Sequence, residues 1–105
     1  MSEKQFHDEA KAFVRKVIRT RKHLINKGFN HVVNAPVIVD KLEKQLNYWP
    51  YCTNETMARF ISNYKLEISA IIPGGKCRAG VVFSQQLVHF SNKSYKILYP
   101  NENIC

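Results

Sequence analysis

Apolar residues in the first quarter of the chain recur every three or four positions, which is the spacing of one face of an α-helix. This pattern predicts a helix over residues 8–27. Gly28 follows directly, and glycine commonly ends a helix. The predicted apolar stripe consists of Ala10, Phe13, Val14, Val17, Ile18, Leu24 and Ile25.

Two further segments keep the helical spacing. Pro36 suits the first turn of a second helix, and Pro50 would stop it. Thr53 can cap a third helix, because its hydroxyl can accept a hydrogen bond from an amide of the first turn. The apolar residues are Ile38, Leu42, Leu46 and Trp49 in the second segment, and Met57, Phe60, Ile61 and Tyr64 in the third.

After Lys65 the apolar period changes to two, which is typical of strands. Residues 66–72 and 77–83 alternate around a turn signal at residues 73–76, which predicts a β-hairpin. A second hairpin is predicted over residues 87–99, with its turn at residues 91–94. The sequence therefore predicts an α+β fold, with three N-terminal helices followed by a small antiparallel sheet of two hairpins. It predicts a single domain, residues 1–105, with frayed ends at 1–7 and 101–105.

Charge is distributed unevenly along the chain. The protein has 16 Lys and Arg residues against 8 Asp and Glu, a net charge of +8. Seven of the basic residues fall within residues 11–27, where there is no acidic residue, so nearly all the net charge lies in one segment. Such a segment attracts phosphates or acidic protein surfaces. The alternative interpretation is that the charges bind no partner and form a helix face that contacts only water. Its central ridge consists of Lys11, Arg15, Arg19 and Lys22.

The order helix, helix, turn, helix, hairpin resembles the winged helix-turn-helix family over residues 8–84. The resemblance implies that the third helix enters the major groove and that the hairpin tip lies along the DNA backbone. It would place Lys76 and Arg78 on phosphates. The exposed face of the third helix would offer side chains that read base edges and phosphates, namely Asn54, Thr56, Arg59, Ser62 and Asn63. The alternative is an ordinary small α+β domain whose third helix packs on the sheet.

These observations predict a small, basic, non-enzymatic regulatory protein that binds nucleic acid, with DNA favoured over RNA. No cofactor and no metal are expected. The sequence does not decide whether the protein forms a homodimer, for which residues 29–39 or the last hairpin could supply an interface. The candidate nucleic-acid-binding residues are Lys11, Arg15, Lys16, Arg19, Lys22, Lys27, Thr56, Arg59, Asn63, Lys76 and Arg78.

A second hypothesis is a non-enzymatic inhibitor or adaptor that docks on an acidic or nucleic-acid-bound host protein. The basic ridge and the aromatic residues of segment 48–51 would form its contact surface. Lys, Asn and Ile together make up 29 residues, a bias of AT-rich genomes that fits a phage or mobile-element origin. A third, enzymatic alternative is a ribonuclease-like cluster on neighbouring strands. Its members would be Arg78, His89, Tyr95 and Tyr99.

The sequence also argues against several classes of protein. No apolar run is long enough to span a membrane, and the N-terminus lacks the apolar region of a signal peptide, so a cytoplasmic protein is expected. The three cysteines include no CxxC pair, which is atypical of a disulfide scaffold. The four histidines, His7, His23, His31 and His89, lack the spacing of structural zinc sites.

Overall fold

A computed structural model describes residues 3–28, 35–48, 53–74 and 78–101 of the chain. These residues form four α-helices: α1 (Glu3–Asn26), α2 (Ala35–Tyr48), α3 (Asn54–Ile71) and α4 (Arg78–Leu98). No strand occurs in the described parts of the chain. The predicted α+β fold with two hairpins is therefore wrong, and the fold is all-α. The resemblance to a winged helix-turn-helix is also wrong, because a wing is a β-hairpin.

Helix α1 confirms the first predicted helix and extends it toward the N-terminus by five residues. The predicted stripe is buried from Ala10 to Ile18, and Phe6 adds one more turn to it. Gly28 adopts a φ of 89° just after the helix, a conformation that costs glycine little and other residues much. Its amide donates to the carbonyl of Ile25, so an otherwise unpaired carbonyl of the last turn is satisfied.

Helices α2 and α3 agree with the prediction from their apolar spacing. Pro36 lies in the first turn of α2, where its missing amide hydrogen costs nothing. Thr53 is the N-cap of α3, and its Oγ1 accepts a hydrogen bond of 3.2 Å from the amide of Thr56. Both local predictions are confirmed.

The first predicted hairpin is instead a helical hairpin. Helix α3 continues through residues 66–71, burying Ile68 and Ile71 and leaving Leu66 80% exposed. Ile71 distinguishes the helix from the predicted strand. In a strand it would lie on the polar side, whereas in the helix it is completely buried. Ile72 is extended (φ −66°, ψ 134°), as expected before proline, so the helix ends there and Pro73 begins the connection.

The second predicted hairpin is the interior of α4. The polar run at residues 91–94, predicted to be a turn, is helical. Ser94 is fully buried, and its hydroxyl donates a 2.7 Å hydrogen bond to the carbonyl of Phe90. The inner apolar face of α4 follows alternating steps of three and four residues, the period of helix-on-helix packing. Its residues are Gly80, Phe83, Leu87, Phe90, Ser94 and Ile97.

Ring contacts between the first and the last helix define their relative direction. Phe6 of α1 contacts Phe90 of α4, and Phe13 contacts Phe83, so the two helices run in opposite directions. Helices α1 and α3 are both central, because each packs against the other three, whereas α2 and α4 do not contact each other. The molecule is flattened, with extents of 45 × 32 × 19 Å. Its thinnest dimension corresponds to about two helix diameters. Helices α2 and α4 therefore lie on opposite flanks.

None of the described helices combines the length and the apolar character needed to cross a bilayer.

Candidate nucleic-acid interface

The predicted cations of α1 lie on its solvent side. Five of the six are exposed and Lys11 is half-buried. Residues 11, 15, 19 and 22 fall within about 80° of the helix circumference, and residue 16 lies farther round on the same exposed side. Lys27 lies in the turn directly after the helix. Among the described residues, Lys22 is the one member of this set with an acidic partner. We call this set the basic face of α1; it comprises Lys11, Arg15, Lys16, Arg19, Lys22 and Lys27.

The seventh basic residue of the segment, Arg21, points the other way. It follows Val17 by four positions and Ile18 by three, so it lies in the buried stripe and is 5% exposed. Within the described parts of the chain, its Nε atom has no hydrogen-bond partner and no ion pair includes it. Burial lowers the pKa of the Arg21 guanidinium, because desolvation disfavours its charged form. The helical period could have revealed this from the sequence.

Replacing Arg21 with methionine is expected to raise the free energy of unfolding by about 1 kcal/mol, because it replaces a buried Nε atom that has no hydrogen-bond partner among the described residues with apolar atoms. Arg19→Met is the matched control, since Arg19 is exposed on the same helix, and its expected effect on stability is within about 0.5 kcal/mol. Urea denaturation measures both. A clear loss of stability in Arg21→Met would mean that the guanidinium makes a favourable contact in solution.

The basic face borders a groove between α1 and α2. The groove has a volume of about 310 Å³, and Lys22 Nζ lies 2.5 Å from Glu43 Oε2 across it. The same lysine also lines a second groove of about 210 Å³, beside Asp40. The ion pair thus joins the two helices and separates two cavities. The larger groove is lined by Arg15, Ile18, Arg19, Lys22, Glu43, Leu46 and Asn47.

Sequence reasoning missed Glu43 and Asn47. They lie more than 20 residues from the cations they approach, and only the antiparallel packing of α2 on α1 brings them to the groove. Glu43 places one negative charge beside three positive ones. It therefore limits how strongly this part of the surface attracts an anion.

The Glu43→Gln substitution is expected to tighten binding of a polyanion about two- to fivefold at low salt, because it removes one negative charge and releases Lys22. Asp40→Asn makes the same change in net charge one turn away on α2, beside the smaller groove, and serves as the control. Fluorescence anisotropy with a labelled duplex measures both affinities. Equal effects of the two variants would show that net charge matters and the Lys22–Glu43 pair does not.

The structure does not bring the predicted residues of the third helix to the basic face. Thr56 lies in the first turn of α3, where its amide donates to the N-cap Thr53 and its hydroxyl lies 3.1 Å from that of Thr53. Arg59 pairs with Glu55 one turn earlier, at 2.6 Å. Asn63 lines a separate groove of about 330 Å³ between α3 and the end of α4, together with Arg59, Ser62, Leu98 and Tyr99.

The predicted hairpin tip and the ribonuclease-like cluster are not formed. Arg78 is the exposed first residue of α4 rather than part of a wing, and Lys76 lies outside the described residues. Arg78 and Tyr99 stand at opposite ends of that helix, about 30 Å apart along its axis. His89 packs edge-on against Phe90, with 5.2 Å between ring centroids. The prediction that these residues converge on neighbouring strands is wrong.

Within the described ranges, no three His, Cys, Asp or Glu residues are grouped so that they could hold a metal ion. All three cysteines and His31 lie outside those ranges. Of the aromatic segment 48–51, Tyr48 is described, and it is exposed. The prediction that Trp49 belongs to the core falls outside the described residues.

Comparison of the chain with protein-family models, curated proteins and solved structures found no match. A proposal about function therefore depends on the geometry and the charge of the molecule itself.

Proposed function

We propose that this protein binds nucleic acid by contacting its phosphate backbone with the basic face of α1. The observation that carries the proposal is the concentration of six cations on one side of α1 and in the turn directly after it, with Glu43 as their one acidic partner among the described residues. Between residues 11 and 27 there is no acidic residue that would neutralise them. A polyanion is the ligand that such a surface attracts most strongly.

The dimensions of the basic face suit an extended polyanion. From Lys11 to Lys27 it spans about 24 Å, at 1.5 Å per residue. Phosphates of one DNA strand are spaced about 3.4 Å apart along the duplex axis, so about seven of them lie within that length. Arginine side chains can bind phosphate oxygens with two parallel hydrogen bonds, and Arg15 and Arg19 stand one turn apart on the exposed side.

The proposed contacts carry little sequence information. Phosphate contacts position a protein on nucleic acid, whereas base edges are read by side chains that enter a groove. The preference for DNA over RNA depended on a recognition helix and a wing, and the described residues contain no wing. The proposal is therefore binding with weak base preference, to duplex or single-stranded nucleic acid.

The test is fluorescence anisotropy with labelled duplex DNA, single-stranded DNA and RNA, at salt concentrations from about 50 to about 300 mM. Contact with four or five phosphates predicts that the logarithm of the affinity for the duplex falls with a slope of about −4 against the logarithm of salt. Unlabelled duplexes of unrelated sequence should compete equally well. Absence of binding to all three ligands at about 50 mM salt would refute the proposal.

A further inference from the structure

The side of α4 that faces away from α3 carries an apolar pattern of its own. Val81, Val88 and Tyr95 are spaced by seven residues and are 46%, 58% and 37% exposed. Three more residues of the same side lie between and after them: Gln85, Asn92 and Tyr99. The sequence distance from each of the six residues to the next therefore alternates between four and three positions. We call these six residues the outer seam of α4. It is about 27 Å long, or about five helical turns.

This seam is separate from the core side of the same helix. The inner residues, such as Phe83 and Leu87, are buried, and α3 is the main packing partner of α4. Helix α2 does not reach α4 at all. An edge helix normally presents a polar surface to water. Here four of the six seam residues are valine or tyrosine, with Gln85 and Asn92 between them, and exposed apolar residues at heptad spacing are typical of a helix that packs on two sides.

The charges beside the outer seam indicate the chemistry of its partner. Helix α4 contains Arg78, Lys93 and Lys96 and no acidic residue over its 21 positions. Arg78 and Lys96 are exposed and lie at the same angle around the helix, along one edge of the seam. A helix with acidic residues on the facing edge would complement them. A second copy of this chain would oppose positive charges to positive charges, with +8 on each protein.

We propose that the outer seam of α4 is a docking surface for an amphipathic helix of a partner protein, with apolar residues at heptad spacing and an acidic edge. The partner helix would pack its apolar side chains around Val81 and Val88. Its carboxylates would lie beside Arg78 and Lys96. This proposal does not depend on the proposed function, because the outer seam of α4 shares no residue with the basic face of α1.

The probe is a fluorescein-labelled peptide of about 21 residues, or three heptads, with Leu at heptad positions a and d and Glu at e and g. A peptide of the same composition in scrambled order is the control. Anisotropy with the full chain should show binding of the first peptide and at least tenfold weaker binding of the second. Arg15→Glu/Arg19→Glu should leave the preference for the ordered peptide intact, which excludes simple attraction to the basic face of α1.

The deciding variant is Val88→Glu, and its matched control is Leu66→Glu, which places the same charge at an exposed apolar residue of α3. Val88→Glu should weaken peptide binding at least tenfold, and Leu66→Glu by less than about twofold. Arg78→Glu/Lys96→Glu should reverse the preference, so that a peptide with Lys at e and g binds better than the Glu peptide. Thermal melts confirm that each variant is folded.

Three results would overturn this proposal. One is failure of the ordered Glu peptide to bind the wild-type protein, and another is equal binding to the wild-type and Val88→Glu proteins. The third is sedimentation of the wild-type protein as a dimer that Val88→Glu dissociates, since a second copy would then occupy the seam.

Discussion

The double substitution Arg15→Glu/Arg19→Glu is expected to weaken binding to duplex DNA at least a hundredfold at about 100 mM salt. Both residues are exposed on the basic face of α1 and have no acidic partner among the described residues. Reversal removes two of the cations that we propose bind phosphate, and it adds two negative charges that would repel the phosphate backbone. The slope of the logarithm of affinity against the logarithm of salt should also become shallower by about two, close to one for each phosphate that is no longer neutralised.

The control must change the net charge by the same amount at another place. Lys65→Glu/Lys96→Glu does so at exposed residues of α3 and α4. If binding depends on the basic face of α1, this control should retain most of its affinity and an almost unchanged salt slope. Equal decreases in affinity in the two double variants would show that net charge alone attracts the ligand, and the proposed interface would be wrong.

The Gly80→Ala substitution is expected to lower the free energy of unfolding by about 2 kcal/mol and the melting temperature by about 10 °C. A Cβ atom at Gly80 would lie 2.2 Å from the carbonyl oxygen of Pro73 and 2.7 Å from that of Gly74. These are backbone atoms, so the connection between α3 and α4 must shift to make room. That cost outweighs the roughly 1 kcal/mol by which alanine is favoured over glycine inside a helix.

Gly74→Ala is the matched control, because a Cβ atom at Gly74 would meet no atom within 4 Å. Its expected effect is within about 0.5 kcal/mol, with any gain coming from a less flexible unfolded chain. Thermal denaturation followed by circular dichroism compares the two variants. Equal melting temperatures would show that α4 does not approach the end of α3 as closely as the structure has it.

The two proposed surfaces belong to different helices. The basic face lies on α1 and borders α2, whereas the outer seam lies on α4, which does not contact α2. The two ligands would therefore not compete for the same surface. The Arg15→Glu/Arg19→Glu variant should weaken nucleic-acid binding and the Val88→Glu variant peptide binding, and each should leave the other interaction unchanged. These variants can then assign each activity to its surface separately.

Local features were predictable from the sequence because their causes lie within one or two helical turns. The apolar spacing of α1, the positive φ at Gly28 and the N-cap at Thr53 all depend on hydrogen bonds or contacts between residues at most four apart. The concentration of charge in residues 11–27 was equally visible, because a charge count needs no structure. The exposure of five of the six cations then follows from the helical period.

Tertiary packing determined that residues 66–99 form helices and not strands in the parts that the structure describes. Short apolar runs there fit a period of two as well as 3.6, since Ile68 and Ile72 lie on the apolar side in both patterns. What selects the helix is the partner that covers it: α4 covers the end of α3, and Gly80 lets the two approach closely. Tertiary packing also places Glu43 beside Lys22 and leaves the outer seam of α4 exposed. A helix or a strand forms according to which neighbour buries its apolar side, and that neighbour is distant in sequence.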